Sequence, residues 1–195
     1  MCKKLSEMSL LELWRRFPIL LTAHIDDWKD WFAGEKALLL RIFPAERGFK
    51  ISHIGSTAIA GIWAKPIVDI LVEAPNSGCF SECKAALAGA GYICMSDQPL
   101  RLSFNKGYTE QGYAEQVFTL HLRRNGDHDE LYFRDYLNAH SDAAKEYEQL
   151  KLKLWKQYAY DRDGYTAQKS NFVAAVTAKA KAEFKGRYPA DGQDI

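Results

Sequence analysis

One carboxylate, Asp69, interrupts a run that otherwise reads Pro66-Ile-Val and Ile70-Leu-Val72. Apolar residues on both alternating faces mark a strand buried on both sides. An ionised carboxylate there is costly unless a metal, a cation or hydrogen bonds hold it. That cost is tolerated most often at a working site; the competing reading is an acceptor for backbone amides at the strand's mouth. Upstream, His53-Ile-Gly-Ser-Thr57 places a Gly-Ser turn, Gly55-Ser56, after a short strand. Lys65 precedes Pro66 and so lies in an extended segment entering the strand. It either points at the turn or is a lone surface lysine. His53 shares a face with Ile51, as a satisfied, partly buried histidine would.

Two alternating stretches add cations. In 100–105, Arg101, Ser103 and Asn105 share one face; in 117–123, Val117, Thr119, His121 and Arg123 do. If the two pair, one side of the sheet carries Arg101, His121 and Arg123, with Lys106 at a strand end. Covered by a helical layer, that side is a basic cavity; uncovered, it is an ordinary solvated face.

The elements that must position these residues follow from periodicity. Ser9-Leu-Leu-Glu12 fits a capping box opening a short helix that stops at Pro18. Residues 26–42 have helical spacing of aromatic and aliphatic residues, with Asp26 and Asp27 in the first turn. Strands are expected at 50–54, 66–73 and 92–95, and a helix over 81–90 closed by Gly91. Helices follow at about 130–139, 142–158 and 164–184, with a frayed tail after Lys185. Glu146, Glu148, Lys151 and Lys153 read as a solvated helix face, and the tryptophans, Trp63 included, as core.

A chain of 195 residues, 47% hydrophobic and 13% aromatic, can bury one good core. It reads as one domain over 1–195, with a sheet-containing core at about 45–125 and a helical part at about 130–185. With 26 basic against 25 acidic residues, no broad footprint for duplex nucleic acid exists. No apolar stretch reaches the roughly 18 residues a membrane span needs. Cys2, Cys79, Cys83 and Cys94 complete no zinc set, so reduced thiols and a cytoplasmic location are expected. The Gly-x-x-x-x-Gly-Lys-Ser pattern of P-loop kinases is absent.

In order along the chain, several segments together resemble the GrpB family. They are Leu11-Glu-Leu-Trp-Arg-Arg-Phe-Pro18, His53-Ile-Gly-Ser-Thr57, Ala64-Lys-Pro-Ile-Val-Asp69 and Phe104-Asn-Lys-Gly107. Leu120-His-Leu-Arg123, Glu130-Leu-Tyr-Phe-Arg-Asp-Tyr-Leu137 and Asp161-Arg-Asp-Gly-Tyr-Thr166 with Lys169 complete the set. The resemblance implies an α/β (α+β) fold: a nucleotidyltransferase-like mixed β-sheet with flanking helices and a helical C-terminal part. It implies that Gly55 and Ser56 approach phosphate oxygens, and that Asp69 is the catalytic, Mg²⁺-binding carboxylate. Lys65, Arg101, Lys106 and His121 would then hold a nucleotide or phosphorylated small molecule. The chain departs from that pattern. Leu71 stands where an Asp-x-Asp pair needs its second acid, and Thr119 or His121 where a third is expected. Glu73 lies too far along the strand, its Cα roughly 13 Å from that of Asp69. Ala60 replaces the family's more usual Pro.

Three functions fit: nucleotidyl transfer to a small acceptor, a non-catalytic anion- or nucleotide-binding module, or a folding partner. The last follows from related domains fused to dephospho-CoA kinase, and here requires a partner in trans.

Overall fold

The apolar strand forms at Val68–Ala74 (β2) and is flanked on both sides. Lys50–Ile54 (β1) pairs antiparallel with it, and Gly112–Arg124 (β5) runs parallel on its other side. Arg101–Thr109 (β4) pairs antiparallel with β5, and Ile93–Gln98 (β3) with β4, giving the order β1-β2-β5-β4-β3. The computed structural model describes residues 3–188. The mixed sheet and the adjacent early strands are as the alternation predicts.

The β4–β5 hairpin is longer than that alternation showed. Its register shifts between Lys106 and Tyr108. There Gly107 has φ +88°, and a Cβ would lie 2.4 Å from the Gln116 carbonyl oxygen, so glycine is required. The irregularity breaks the period-2 pattern and hides the outer half of both strands.

Each sheet face has its own cover. Val68, Ile70, Val72, Leu120 and Leu122 pack with Asp27–Ile42 (α2) and Phe80–Gly89 (α3), burying Trp28, Leu39 and Leu87 in the main core. The opposite face carries Asp69, Leu71 and Glu73. In register with them stand Thr119, His121 and Arg123 on β5 and Asn105, Ser103 and Arg101 on β4. Over its β1–β2 side lie Asp129–Ala139 (α4), Ser141–Tyr158 (α5) and Arg162–Glu183 (α6). Their shared core of Phe133, Leu137, Tyr147 and Val176 takes in Ile59 and Ile62 from the loop after the Gly-Ser turn. Arg134 of α4 donates to the His53 carbonyl at 2.8 Å, fastening helix to strand.

Leu10–Arg16 (α1) opens on the expected Ser9–Glu12 capping box and buries none of its side chains. The segment after it acts as a strap. Ile19 N–H donates to the Ala159 carbonyl at 2.8 Å, and Thr22 and Ala64 exchange backbone bonds.

Four expectations are corrected. Lys106 is not at a strand end beside the pocket. It neighbours Asn105, so it points to the α2 face, where its ammonium meets Glu35 at 2.8 Å and Tyr92 donates to the same carboxylate at 2.9 Å. Glu148 and Lys151 are buried, not solvated, and bond the Trp63 backbone N–H and carbonyl. The Trp63 side chain itself is 37% exposed and outside the core. The chain after Lys185 is held as far as Tyr188, whose hydroxyl donates to Asp135 at 2.6 Å; the rest of the tail lies outside the described residues. Cys79, Cys83 and Cys94 are free thiols, and Cys2 lies outside the described residues.

Lys106 therefore has a measurable structural role. Lys106→Met leaves the buried Glu35 carboxylate without its cation, so urea unfolding should show a loss of about 3 kcal/mol. A loss under 1 kcal/mol contradicts a buried ion pair here.

Candidate functional site

The Gly-Ser turn and Asp69 meet because β1 and β2 are antiparallel, with Ile54 opposite Asp69. Gly55 has φ +71°, and a Cβ there would stand 2.2 Å from Asp69 Oδ2. Only glycine lets the turn lie against the carboxylate. Ser56 and Ala58 bound a single 3₁₀ turn, and the Ser56 side chain meets the Tyr147 hydroxyl of α5. Thr57 donates to the Ile67 carbonyl at 3.4 Å and so must accept from His53 Nε2 at 2.9 Å. Burial pushes His53 down to about 4, so it stays neutral. Stacked on Phe32 at 4.8 Å, it ties the turn to the entrance of β2 and is structural.

A cavity of about 640 Å³ lies over this point. Its floor is Gly55, Asp69 and His121; its walls come from α4, including Glu130 and Phe133, and from α6, including Thr166, Lys169 and Val173. His121 Nε2 is 3.8 Å from Asp69 Oδ1. Its Nδ1 lies 3.3 Å from the Arg123 guanidinium, which can only donate. That fixes the neutral ring's proton on Nε2, facing Asp69.

Arg101 shares this sheet face but not the cavity. It begins β4, two residues before the Ser103–His121 pair, and its guanidinium meets Asp127 at 2.5 Å near the surface. Glu73 is likewise withdrawn, its carboxylate 2.8 Å from His128 and buried. Burial raises its pKa.

The cations that do gather are the expected Lys65, at the entrance to β2, and two lysines of the C-terminal helices, Lys151 and Lys169. Lys65 and Lys169 place their ammonium groups 5.1 and 4.4 Å from the centroid of one ring, that of the fully buried Tyr165. Both feel Asp69 electrostatically, and Lys151 feels both of them. Burial first, and the neighbouring cations second, push Lys65 and Lys151 down to about 7. Burial brings Lys169 to about 8, with Asp69 opposing the fall. The Arg162 guanidinium, bonded to the Tyr108 hydroxyl at 3.1 Å, adds to the crowding on Lys65.

The floor of the site thus has one carboxylate, Asp69, near lysines whose protonation is suppressed, while on the α4 wall Glu130 lies 3.6 Å from the Arg123 guanidinium and Asp129 pairs with Lys181. Such a set suits an anion that brings its own charge. Among the described residues, no cluster of three His, Cys, Asp or Glu side chains is placed to hold a metal, and no helix is long and apolar enough to cross a membrane. Leu71, the next residue on the strand face that carries Asp69, is fully buried and packs with Ile54 and Leu131.

Comparisons with known proteins agree with this architecture. The family described as GrpB protein matches residues 18–179. The chain is 37% identical over 164 residues to glutamate-rich protein GrpB of Alkalihalophilus pseudofirmus, covering 81% of this chain and 93% of that one. It is 29% identical over 191 residues to UPF0157 protein YqkA of Bacillus subtilis, covering 96% of this chain and 54% of YqkA, about half of that relative's length. The crystal structure of GrpB from Enterococcus faecalis superposes with a TM-score of 0.73 at 23% identity, covering 85% of this chain and 99% of the other. A more distant likeness, TM-score 0.53 at 10% identity, covers 95% of this chain and 72% of a chain of the GLD-2/RNP-8 complex. The fold is nucleotidyltransferase-like.

The suppressed lysines give the free protein a pH signature. Unfolding returns Lys65, Lys151 and Lys169 towards an ordinary value of 10.5, so the unfolded chain binds more protons from about pH 7 upward, and most above about pH 8. Stability should therefore rise from about pH 7 to about pH 10, before tyrosines titrate. Lys65→Met should flatten that rise and raise stability at pH 7 by on the order of 1–2 kcal/mol. Denaturant unfolding across this range checks both; a fall in stability at pH 7 contradicts the crowding.

Proposed function

The chain belongs to the GrpB family, and from that premise we propose that it binds a phosphorylated small molecule, foremost a nucleotide, between the sheet and α4–α6. In this reading the phosphates meet the Gly55-Ser56 turn and the Lys65 and Lys169 ammonium groups. The reaction we assign to the site is nucleotidyl transfer from a nucleoside triphosphate to a small acceptor. An acceptor oxygen bonds the α-phosphorus, the bond to the bridging oxygen breaks, pyrophosphate leaves and the acceptor's proton passes to solvent. The observation that carries the reading is the pair of lysines on one Tyr165 ring, both within the electrostatic reach of Asp69. Two ammonium groups drawn out of water and towards each other are unfavourable alone. A phosphate between them turns that repulsion into attraction and restores their protons. The cavity volume of about 640 Å³ lies within the usual range for small-molecule sites, about 300–1,000 Å³.

Asp69 is too little to hold a resident ion, but Mg²⁺ commonly binds through one or two carboxylates plus the phosphates it accompanies. Asp69 fits that partial role, with His121 Nε2–H steadying the carboxylate. Bound there, Mg²⁺ would neutralise charge on the phosphates. Arg101 and Lys106 have no part in ligand holding in this reading.

Leu71, in the place of a second acid, favours a second reading: a binding module without transfer chemistry. The folding-partner reading needs no small ligand at all. A thermal-shift screen of ATP, UTP and pyrophosphate, each with and without Mg²⁺, separates them. A ligand at 100 times its Kd should add about 2.7 kcal/mol, roughly 5–10 °C for a chain of this size. A shift that needs Mg²⁺ and is lost in Asp69→Asn supports transfer. A shift independent of both supports the binding module, and the absence of any shift overturns the phosphate site.

A further inference from the structure

A second cavity, of about 510 Å³, opens on the same sheet face as Asp69 but over β3 and β4. Leu13 of α1 and the following Phe17 face Ile93 and Met95 of β3 across it, and Asn105 of β4 lies in its lining. The walls are largely apolar, yet Asn105 is only 7% exposed and its side-chain amide has no hydrogen-bond partner among the described residues. The little exposure it keeps is towards the cavity, so its polar atoms are free to bond whatever enters there. No role in packing explains it, because Leu102 and Phe104 of the same strand supply the core on the other face.

The register ties this amide to the phosphate site. Asp69, Thr119, Asn105 and Ile93 stand in one cross-strand row, which puts Asn105 about 10 Å from Asp69 at ~4.8 Å per strand. Arg162 lines the second cavity and also acts electrostatically on Lys65. The two sites are therefore neighbours along one floor.

We infer that this second cavity binds an uncharged planar group carrying an adjacent hydrogen-bond donor and acceptor, the chemistry of a nucleobase. A carboxamide offers one donor and one acceptor side by side in a plane and pairs bidentately with such an edge. The half-buried Tyr108 ring, backed by the buried Phe17 at a centroid distance of 4.9 Å, provides ring surface for a planar ligand. The inference deepens the phosphate reading by naming the other part of the ligand. It rests on Asn105 alone, so the two can fail separately.

Calorimetric titration with adenosine, uridine and pyrophosphate tests it on the whole chain. At least one nucleoside should bind without any phosphate. Asn105→Leu should weaken that binding at least tenfold and leave pyrophosphate unchanged, while Lys169→Met should do the reverse. Asn105→Asp keeps the side chain's shape but removes its donor, and serves if the Leu variant fails to fold. Neither nucleoside binding at millimolar concentration, or undiminished nucleoside affinity in both Asn105 variants, overturns the inference. Nucleoside binding that depends on Asn105, with no pyrophosphate binding, upholds it and removes the phosphate reading instead.

Discussion

The lysines gathered near Asp69 are drawn out of water, and that constraint organises this side of the molecule. The Asp69 side chain itself keeps 31% of its exposure. Its charge favours the protonated forms of Lys65 and Lys169 against the effect of their burial. The lysines are over-supplied, so their own charge is suppressed and the balance remains incomplete. Gly55 is forced by the carboxylate, since any side chain there would displace it. Even His53, far from catalytic, serves it by locking the turn through Thr57.

The sheet and the helices were legible because their periods were clean. Asp69 and His121 are legible on one face through alternation, and the Gly55-Ser56 turn through its own motif after the first strand; the β1–β2 and β2–β5 pairings bring them together. The missed residues had a signal that charge obscured. On α5, Ala144, Tyr147, Lys151 and Leu154 fall on one buried stripe, so Lys151 sat in an apolar pattern while being read by its charge. On α6, Lys169 stands between Tyr165 and Val176 in the same way. Which strand such a lysine faces is a long-range fact that spacing along a helix does not carry. Lys106 went wrong through geometry, because the register shift at Gly107 made a mid-strand residue look terminal.

Arg101 illustrates a different limit. Its face was read correctly, yet a guanidinium needs only a nearby carboxylate to be taken out of play, and Asp127 in the β5–α4 connection supplies one. Loops that deliver such partners have no period to read. The same connection carries His128, which removes Glu73 from the site. On this strand face Leu71 is apolar and Glu73 is paired with His128, so of the β2 side chains only Asp69 brings a carboxylate to the cavity floor.

The strap over residues 19–22 has a mechanical meaning. By bonding Ala159 at the α5–α6 junction and Ala64 at the entrance to β2, it closes a loop of chain around the sheet and the helical layer. Any movement of the α5–α6 junction away from the entrance to β2 must therefore break or stretch these backbone bonds, which lie outside both the sheet ladder and the helices.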